Sequence, residues 1–387
     1  MKVSSDSATP ETKPLPQKSY TDRLIEAPPF SRTPHSDSLF IKAMREALIY
    51  HAGNCRVFGM LCKMHGFDPA SVRRLEDVLK APPIFITTFK ERRLSSIPDR
   101  KIALELTSSG TTGQKSRIIL DKLSLLRVRR MAWKIFEALE LADRDVRADY
   151  ICHTYDPSVA KNLGTAWTDK LLTGFTSQGD IFYTLRWNES SASFYYDRRG
   201  SVDALKKMES SGRPGRIIGF PAFAMELCED FKKAAGRYPR IHQESRVITG
   251  GGWKDRQDKA VDKGIMRSTL AKKLGIKSSN VRDLFGMVEH GVPYVDCRLG
   301  NFHIPVYSHV VARDPATLKA LPYGKPGLLQ FITPYLSSYP SITLLSSDFG
   351  RIDEKCSCGL EGPVMHITGR AGIKKLKGCA IAASTML

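Results

Sequence analysis

A chain of 387 residues with 42% hydrophobic and 26% charged residues can bury a large core and is not composed like a disordered protein. Lys and Arg outnumber Asp and Glu by 59 to 40. That excess suits a phosphate-bearing partner, but the acids are interspersed and no nucleic-acid module is recognisable, so a nucleic-acid binder or basic scaffold is the weaker reading.

No apolar run reaches the ~18 residues of a membrane span, and the N-terminus has no apolar signal core, which predicts a cytoplasmic protein. Eight dispersed cysteines then default to reduced thiols.

In chain order, residues 1–35 are broken by Pro10, Pro14, Pro16, Pro28 and Pro29 and read as a disordered arm. Phe40, Ile41, Met44, Ala47 and Leu48 then follow helical spacing. Asp68-Pro69 opens a further helical pattern to Lys80 that Pro82-Pro83 stop, giving a helical front end. The apolar run Ile102–Leu106 reads as a strand, and Asp121–Leu141 as a long amphipathic helix.

Further strands are expected at 149–155, 216–220, 246–249, 281–285, 304–312, 328–332 and 342–345. Helices are expected between the earlier ones, at 202–210, 222–235 and 255–274. Alternating strands and helices followed by strands alone predict an α/β sheet domain with a β-rich annex towards the C-terminus. The divisions expected are the arm at 1–35, one α/β domain at 36–370 and a short tail at 371–387.

Between the first strand and the long helix stands Thr107-Ser108-Ser109-Gly110-Thr111-Thr112-Gly113-Gln114-Lys115. Hydroxyls and glycines in a row offer many backbone N–H groups and little bulk, which is what a polyphosphate needs. The loop is not a Walker A motif, because Gln114 separates Gly113 from Lys115.

Further along, Gly250-Gly251-Gly252 ends an apolar strand, where it either admits a flat ring or makes a tight turn. Phe285-Gly286-Met287-Val288-Glu289 offers a carboxylate suited to a magnesium ion, or to the surface. Asp348 follows another strand and presents two acceptor oxygens; Gly369-Arg370 comes last.

The Cys356-Ser357-Cys358 spacing can supply two zinc ligands, but a structural zinc needs four. No second Cys/His pair of conventional spacing follows them, so they read as turn residues. His153 and Tyr155 suit either a pocket wall or the core.

Taken in order, these loops resemble those of the adenylate-forming synthetases and ligases over roughly residues 40 to 387. Within that superfamily the chain is most similar to the acyl-protein synthetases of the bacterial-luminescence fatty acid reductase, the long-chain-fatty-acid luciferin-component ligases. The pointers are Pro83-Ile84-Phe85-Ile86-Thr87-Thr88-Phe89-Lys90, the Gly250-Gly251-Gly252-Trp253-Lys254 turn, and Gly378-Cys379-Ala380.

The resemblance implies ATP and Mg²⁺ as cofactors. Thr107, Ser108, Ser109, Gly110, Thr111, Thr112, Gly113 and Lys115 would hold the phosphates. Gly250, Gly251, Gly252, Phe285 and Gly286 would frame adenine, Glu289 would bind the metal, Asp348 the ribose and Arg370 the ribose or phosphate side. Cys379 would accept the acyl group, with Lys374, Lys375 and Lys377 favouring its thiolate.

The implied reaction turns a carboxylic acid, a fatty acid by resemblance, into acyl-AMP and passes it to a protein thiol for a reductase or acyl-carrier protein. A ligase that serves CoA, an acyl-carrier protein or an amine is the alternative. Val288 departs from the wider superfamily's Thr. The sequence ends soon after Arg370, where acyl-CoA synthetases carry a mobile domain, so the full C-terminal domain is expected to be lacking.

Overall fold

The computed structural model describes residues 19–107, 116–160, 164–252 and 261–370, with 164–166 in backbone only. A seven-stranded sheet forms its centre. In spatial order its strands are Tyr294–Val295, Val281–Phe285, Arg246–Gly250, Gly215–Gly219, Asp143–Tyr155, Thr176–Asn188 and Ser193–Tyr196. The five inner strands are parallel and the two short edge strands antiparallel.

Successive side chains of a strand point to opposite faces, and here both faces are covered. Ile151, Ile217, Val247 and Val281 pack under Leu205, Leu227, Phe231 and Leu270 of the helices Arg198–Ser211, Pro221–Ala235 and Lys263–Leu274. Their neighbours Tyr150, Cys152, Ile218 and Ile248 belong to the other core, with Met131, Ile135 and Phe136 of the helix Lys122–Ala138. Runs of consecutive buried residues in the inner strands are the consequence.

The annex is a six-stranded sheet. Four strands run in antiparallel order, His309–Arg313, Gly327–Ile332, Thr343–Asp353 and Val364–Arg370; Phe302–His303 adds at one edge, and the short Ile84–Phe85 pairs in parallel with Thr343–Asp353. The α/β domain with a β-rich annex is thus the observed architecture.

Four local expectations change. The arm ends before residue 35: Tyr20–Glu26 is a helix whose N-cap Ser19 accepts from the Asp22 amide, and Leu24 is fully buried. Arg127 Nε donates to Asp22 Oδ1 at 2.8 Å, an ion pair with a buried Arg127 and a partly buried Asp22 that ties this helix to the core. The segment 68–80 is a 3-10 turn, Pro69–Ser71, and one helical turn, Leu75–Val78, separated by the buried, extended Val72.

The strand expected at 304–312 starts only at His309, because Pro305 interrupts the pairing. Thr176–Asn188 and Ser193–Tyr196 form an unforeseen hairpin, closed by Asn188 accepting from the Ser190 amide at 2.9 Å.

Candidate active site

The chain leaves strand Asp143–Tyr155 to build one side of the central sheet, then returns to lay Gly215–Gly219 against its other side. Where strand order reverses in this way, the loops at the carboxyl ends diverge and leave a crevice. His153 and Gly219 are register partners across that point.

A cavity partly open to solvent is lined there by His153, Gly219 and Phe220, and by Gly250, Gly251 and Gly286 at the ends of the next two strands. Leu106 and Leu120 line it from the N-terminal side, and Trp167, Asp169 and Tyr335 complete the wall. A mostly apolar hollow with a few convergent polar groups is the usual form of a small-molecule site.

Leu106 and Leu120 belong to a two-stranded hairpin, Ile102–Thr107 with Arg117–Asp121. Asp121 caps the helix that follows, accepting from the Ser124 amide at 2.8 Å, and also accepts from the Ser337 hydroxyl. Thr107 pairs with Arg117 at the hairpin's last described rung. Ser108, Ser109, Gly110, Thr111, Thr112, Gly113 and Lys115, between its two strands, lie outside the described residues, as does Cys379.

The other expected residues fall into two groups. Gly250, Gly251 and Gly286 line the cavity; Gly251 and Gly252 adopt φ of 75° and 71°, a turn that favours glycine. The turn is braced from below, where the Thr249 hydroxyl bonds Asp283 at 3.0 Å and Lys263 reaches Asp283 and Asp296 at 3.6 and 3.0 Å. Burial pushes the Asp283 carboxyl up, and Lys263 opposes that shift. Val288 also lines the cavity.

Next to Val288, Glu289 is buried, and its backbone carbonyl accepts from the Tyr339 hydroxyl at 2.9 Å. Its carboxylate makes no hydrogen bond or ion pair among the described residues. Such a carboxylate fits a hard cation such as Mg²⁺, which takes oxygen ligands.

The second group stands off the cavity wall. Phe285 turns its ring onto Phe331, at 5.7 Å and 25°, with Tyr294 and Phe302 nearby, so the aromatic packs between the two sheets. Asp348 and Arg370 face each other across two annex strands, with Arg370 Nε on Asp348 Oδ1 at 2.8 Å and Asp348 buried.

Sequence reasoning did not single out Gly219, Phe220, Trp167 or Asp169. The signal for the first two was Gly219-Phe220-Pro221, a strand end meeting a proline that starts a helix. His153 joins the cavity wall as one of its two readings allowed, whereas Tyr155 is core, its ring 4.6 Å from Phe194.

Burial holds His153 down to about 3, so it is neutral, and both ring nitrogens are buried with no hydrogen-bond partner among the described residues. Burial lifts Asp169 to about 7. His153 therefore adds no charge to the wall, whereas Asp169 changes charge close to neutral pH.

A family model described as Acyl-protein synthetase, LuxE, matches residues 14–387. A long-chain-fatty-acid–luciferin-component ligase of Vibrio harveyi is 26% identical over 353 residues, which cover 89% of this chain and 86% of the relative. Its counterpart in Aliivibrio fischeri is 25% identical, covering 89% and 88%. Among solved structures, an open 2-hydroxyisobutyryl-CoA ligase in complex with 2-HIB-AMP and CoA superimposes with a TM-score of 0.69 at 15% identity, over 96% of this chain and 83% of that one. At that identity the likeness speaks to the fold.

Proposed function

This chain belongs to the LuxE acyl-protein synthetase family, and from that membership we propose that it activates a fatty acid with ATP and hands the acyl group to a protein thiol. The observation that carries the reading is the apolar cavity at the switch point of the central sheet, walled by the glycine turns in which the resemblance puts a nucleotide.

A carboxylate alone is a poor acyl donor because oxide would have to leave. In the first step one carboxylate oxygen attacks the α-phosphorus of ATP, the bond to the bridging oxygen breaks, and pyrophosphate departs with the electron pair. In the second a thiolate attacks the acyl carbonyl and AMP leaves with the phosphate oxygen.

Apolar walls around Phe220, Leu284 and Val292 suit an acyl chain and keep water from the mixed anhydride. Neutral His153, and Asp169 in the protonated form it holds below about pH 7, allow the substrate carboxylate to enter without repulsion. Gly250, Gly251 and Gly286 let a flat base lie close to the backbone.

In this reading Thr107 and the loop to Gly113, with Lys115, bind phosphate. Asp348, steadied by Arg370, accepts from ribose hydroxyls. Glu289 would hold Mg²⁺, which when bound supplies charge neutralisation to the phosphates. Cys379 is the acyl acceptor, and the partner served is an acyl-accepting reductase or carrier protein.

The test is incubation with ATP, Mg²⁺ and labelled fatty acids. A hydroxylamine-labile label on the protein, lost in Cys379→Ser while fatty-acid-dependent pyrophosphate exchange persists, is the expected result. A protein that never consumes ATP with any fatty acid overturns the proposal, and exchange without label shifts it to a ligase that serves a separate acceptor.

A further inference from the structure

Two pairs of side chains distant from each other in sequence converge at the junction of the two sheets: Cys297 with His303, and Cys356 with Cys358. Cys297 follows the edge strand Tyr294–Val295 and sits in a tight loop, its amide bonded to the Asn301 carbonyl at 2.9 Å and its carbonyl to the Gly300 amide at 2.8 Å. Gly300, at φ 88°, is the residue that lets this loop close. The chain returns at once as Phe302–His303, paired with Val364–Arg370, which sets His303 opposite Val364. Cys356 and Cys358 come from the turn between the strands Thr343–Asp353 and Val364–Arg370.

Their ligand atoms all lie within 4.8 Å of one another. Cys297 Sγ is 3.8 Å from Cys356 Sγ, and Cys358 Sγ is 3.1 Å from His303 Nε2. With Zn–S near 2.3 Å and Zn–N near 2.05 Å, a tetrahedron has edges of about 3.8 Å between sulfurs and about 3.6 Å between sulfur and nitrogen. The cluster thus already has the size of a zinc tetrahedron, to within a contraction of about 1 Å.

The surroundings match as well. The Leu360 amide donates to Cys358 Sγ at 3.4 Å and Asn301 Nδ2 to Cys356 Sγ at 3.2 Å, two N–H groups aimed at sulfur. Cys297, His303 and Cys358 are buried, which closes the site to substrate.

We propose that Cys297, His303, Cys356 and Cys358 form a structural zinc site that clips the edge of the central sheet to the annex hairpin carrying Asp348 and Arg370. Three thiolates and one imidazole in a closed tetrahedral set select zinc over the hard cations that carboxylates bind. Binding Zn²⁺ releases three thiol protons to solvent and leaves the sulfurs as ligands without any redox change. The proposal is independent of the acyl-transfer reading, since none of its four residues lines the cavity.

The experiment is metal analysis of the full chain, purified without a metal-affinity step and under reducing conditions. About one zinc per chain is expected. A thiol-specific mercurial should release it as three thiols react, and replacement by Co²⁺ should give thiolate charge-transfer and tetrahedral d–d absorption.

Cys356→Ser and Cys358→Ser should each lose most of the zinc, whereas Cys62→Ala, in the N-terminal helices, should keep it. Should a variant fail to fold, the wild-type zinc content and cobalt spectrum decide alone. Folded wild-type protein from zinc-supplemented medium that holds far less than one equivalent and gives no thiolate–cobalt bands overturns the proposal. So does full zinc retention in both serine variants, or a disulfide joining Cys297 to Cys356.

Discussion

Two cavity glycines, given the same extra methyl, should answer in opposite ways. Gly219 adopts φ 119°, and a Cβ built on it stands 2.6 Å from the His153 carbonyl oxygen and 2.9 Å from the His153 Cβ. Both obstacles belong to the neighbouring parallel strand and cannot swing aside. The backbone strain costs about 1–3 kcal/mol, and the overlap with packed strands about 1–3 kcal/mol more. Gly219→Ala should therefore lose roughly 2–6 kcal/mol, a large part of a typical stability of about 5–15 kcal/mol.

At about 2 °C per kcal/mol for a large domain, the thermal midpoint should fall by roughly 4–12 °C. Gly286 has no atom within 4 Å of the same methyl and no positive φ. Gly286→Ala should leave the midpoint almost unchanged, yet raise the KM for ATP by filling the side of the cavity assigned to the base. Calorimetry and pyrophosphate exchange on both variants measure the two effects separately. If Gly219→Ala is as stable as the parent, the close approach of strands 143–155 and 215–219 is wrong, and the crevice argument goes with it.

Three further outcomes are expected. Asp169 is raised from 3.8 to about 7 by burial, so its stabilising contribution is complete below about pH 4, is lost as pH rises through about 7, and is constant above. Cys152, His153 and Tyr183 are the titratable groups beside it; His153 is neutral, and burial raises the other two. The KM for fatty acid should accordingly climb as pH passes about 7, and Asp169→Asn should flatten the profile; an identical profile in that variant removes Asp169 from the acid's path.

Asp348→Asn gives up charge-assisted hydrogen bonds worth about 1.5–3 kcal/mol. In exchange assays the KM for ATP should rise roughly 10- to 150-fold with the KM for acid little changed; the reverse pattern would take Asp348 away from the nucleotide. Leu24→Ala empties a fully buried position and should cost about 2–5 kcal/mol by denaturation; no cost would return residues 19–35 to an unstructured arm.

The sequence by itself determined the kind of most inner strands and of the helices that cover them, because apolar period and capping residues are local. Asp121 at the head of Lys122–Ala138 and Pro221 opening the next helix are examples. It also showed glycines, hydroxyls and carboxylates recurring at strand ends in a fixed order along the chain.

What it left open were relations between distant segments. Whether Phe285 faces a base or Phe331, whether His153 is core or wall, and whether Asp348 finds Arg370 depend on register and on which strand lies beside which. The four zinc-ligand candidates show the limit best. Cys356 and Cys358 lacked a partner pair following them, and their partners Cys297 and His303 precede them by more than fifty residues, on another strand edge. Only the pairing of Phe302–His303 with Val364–Arg370 brings the two halves together, because contact across a sheet is set by hydrogen-bond register and not by distance along the chain.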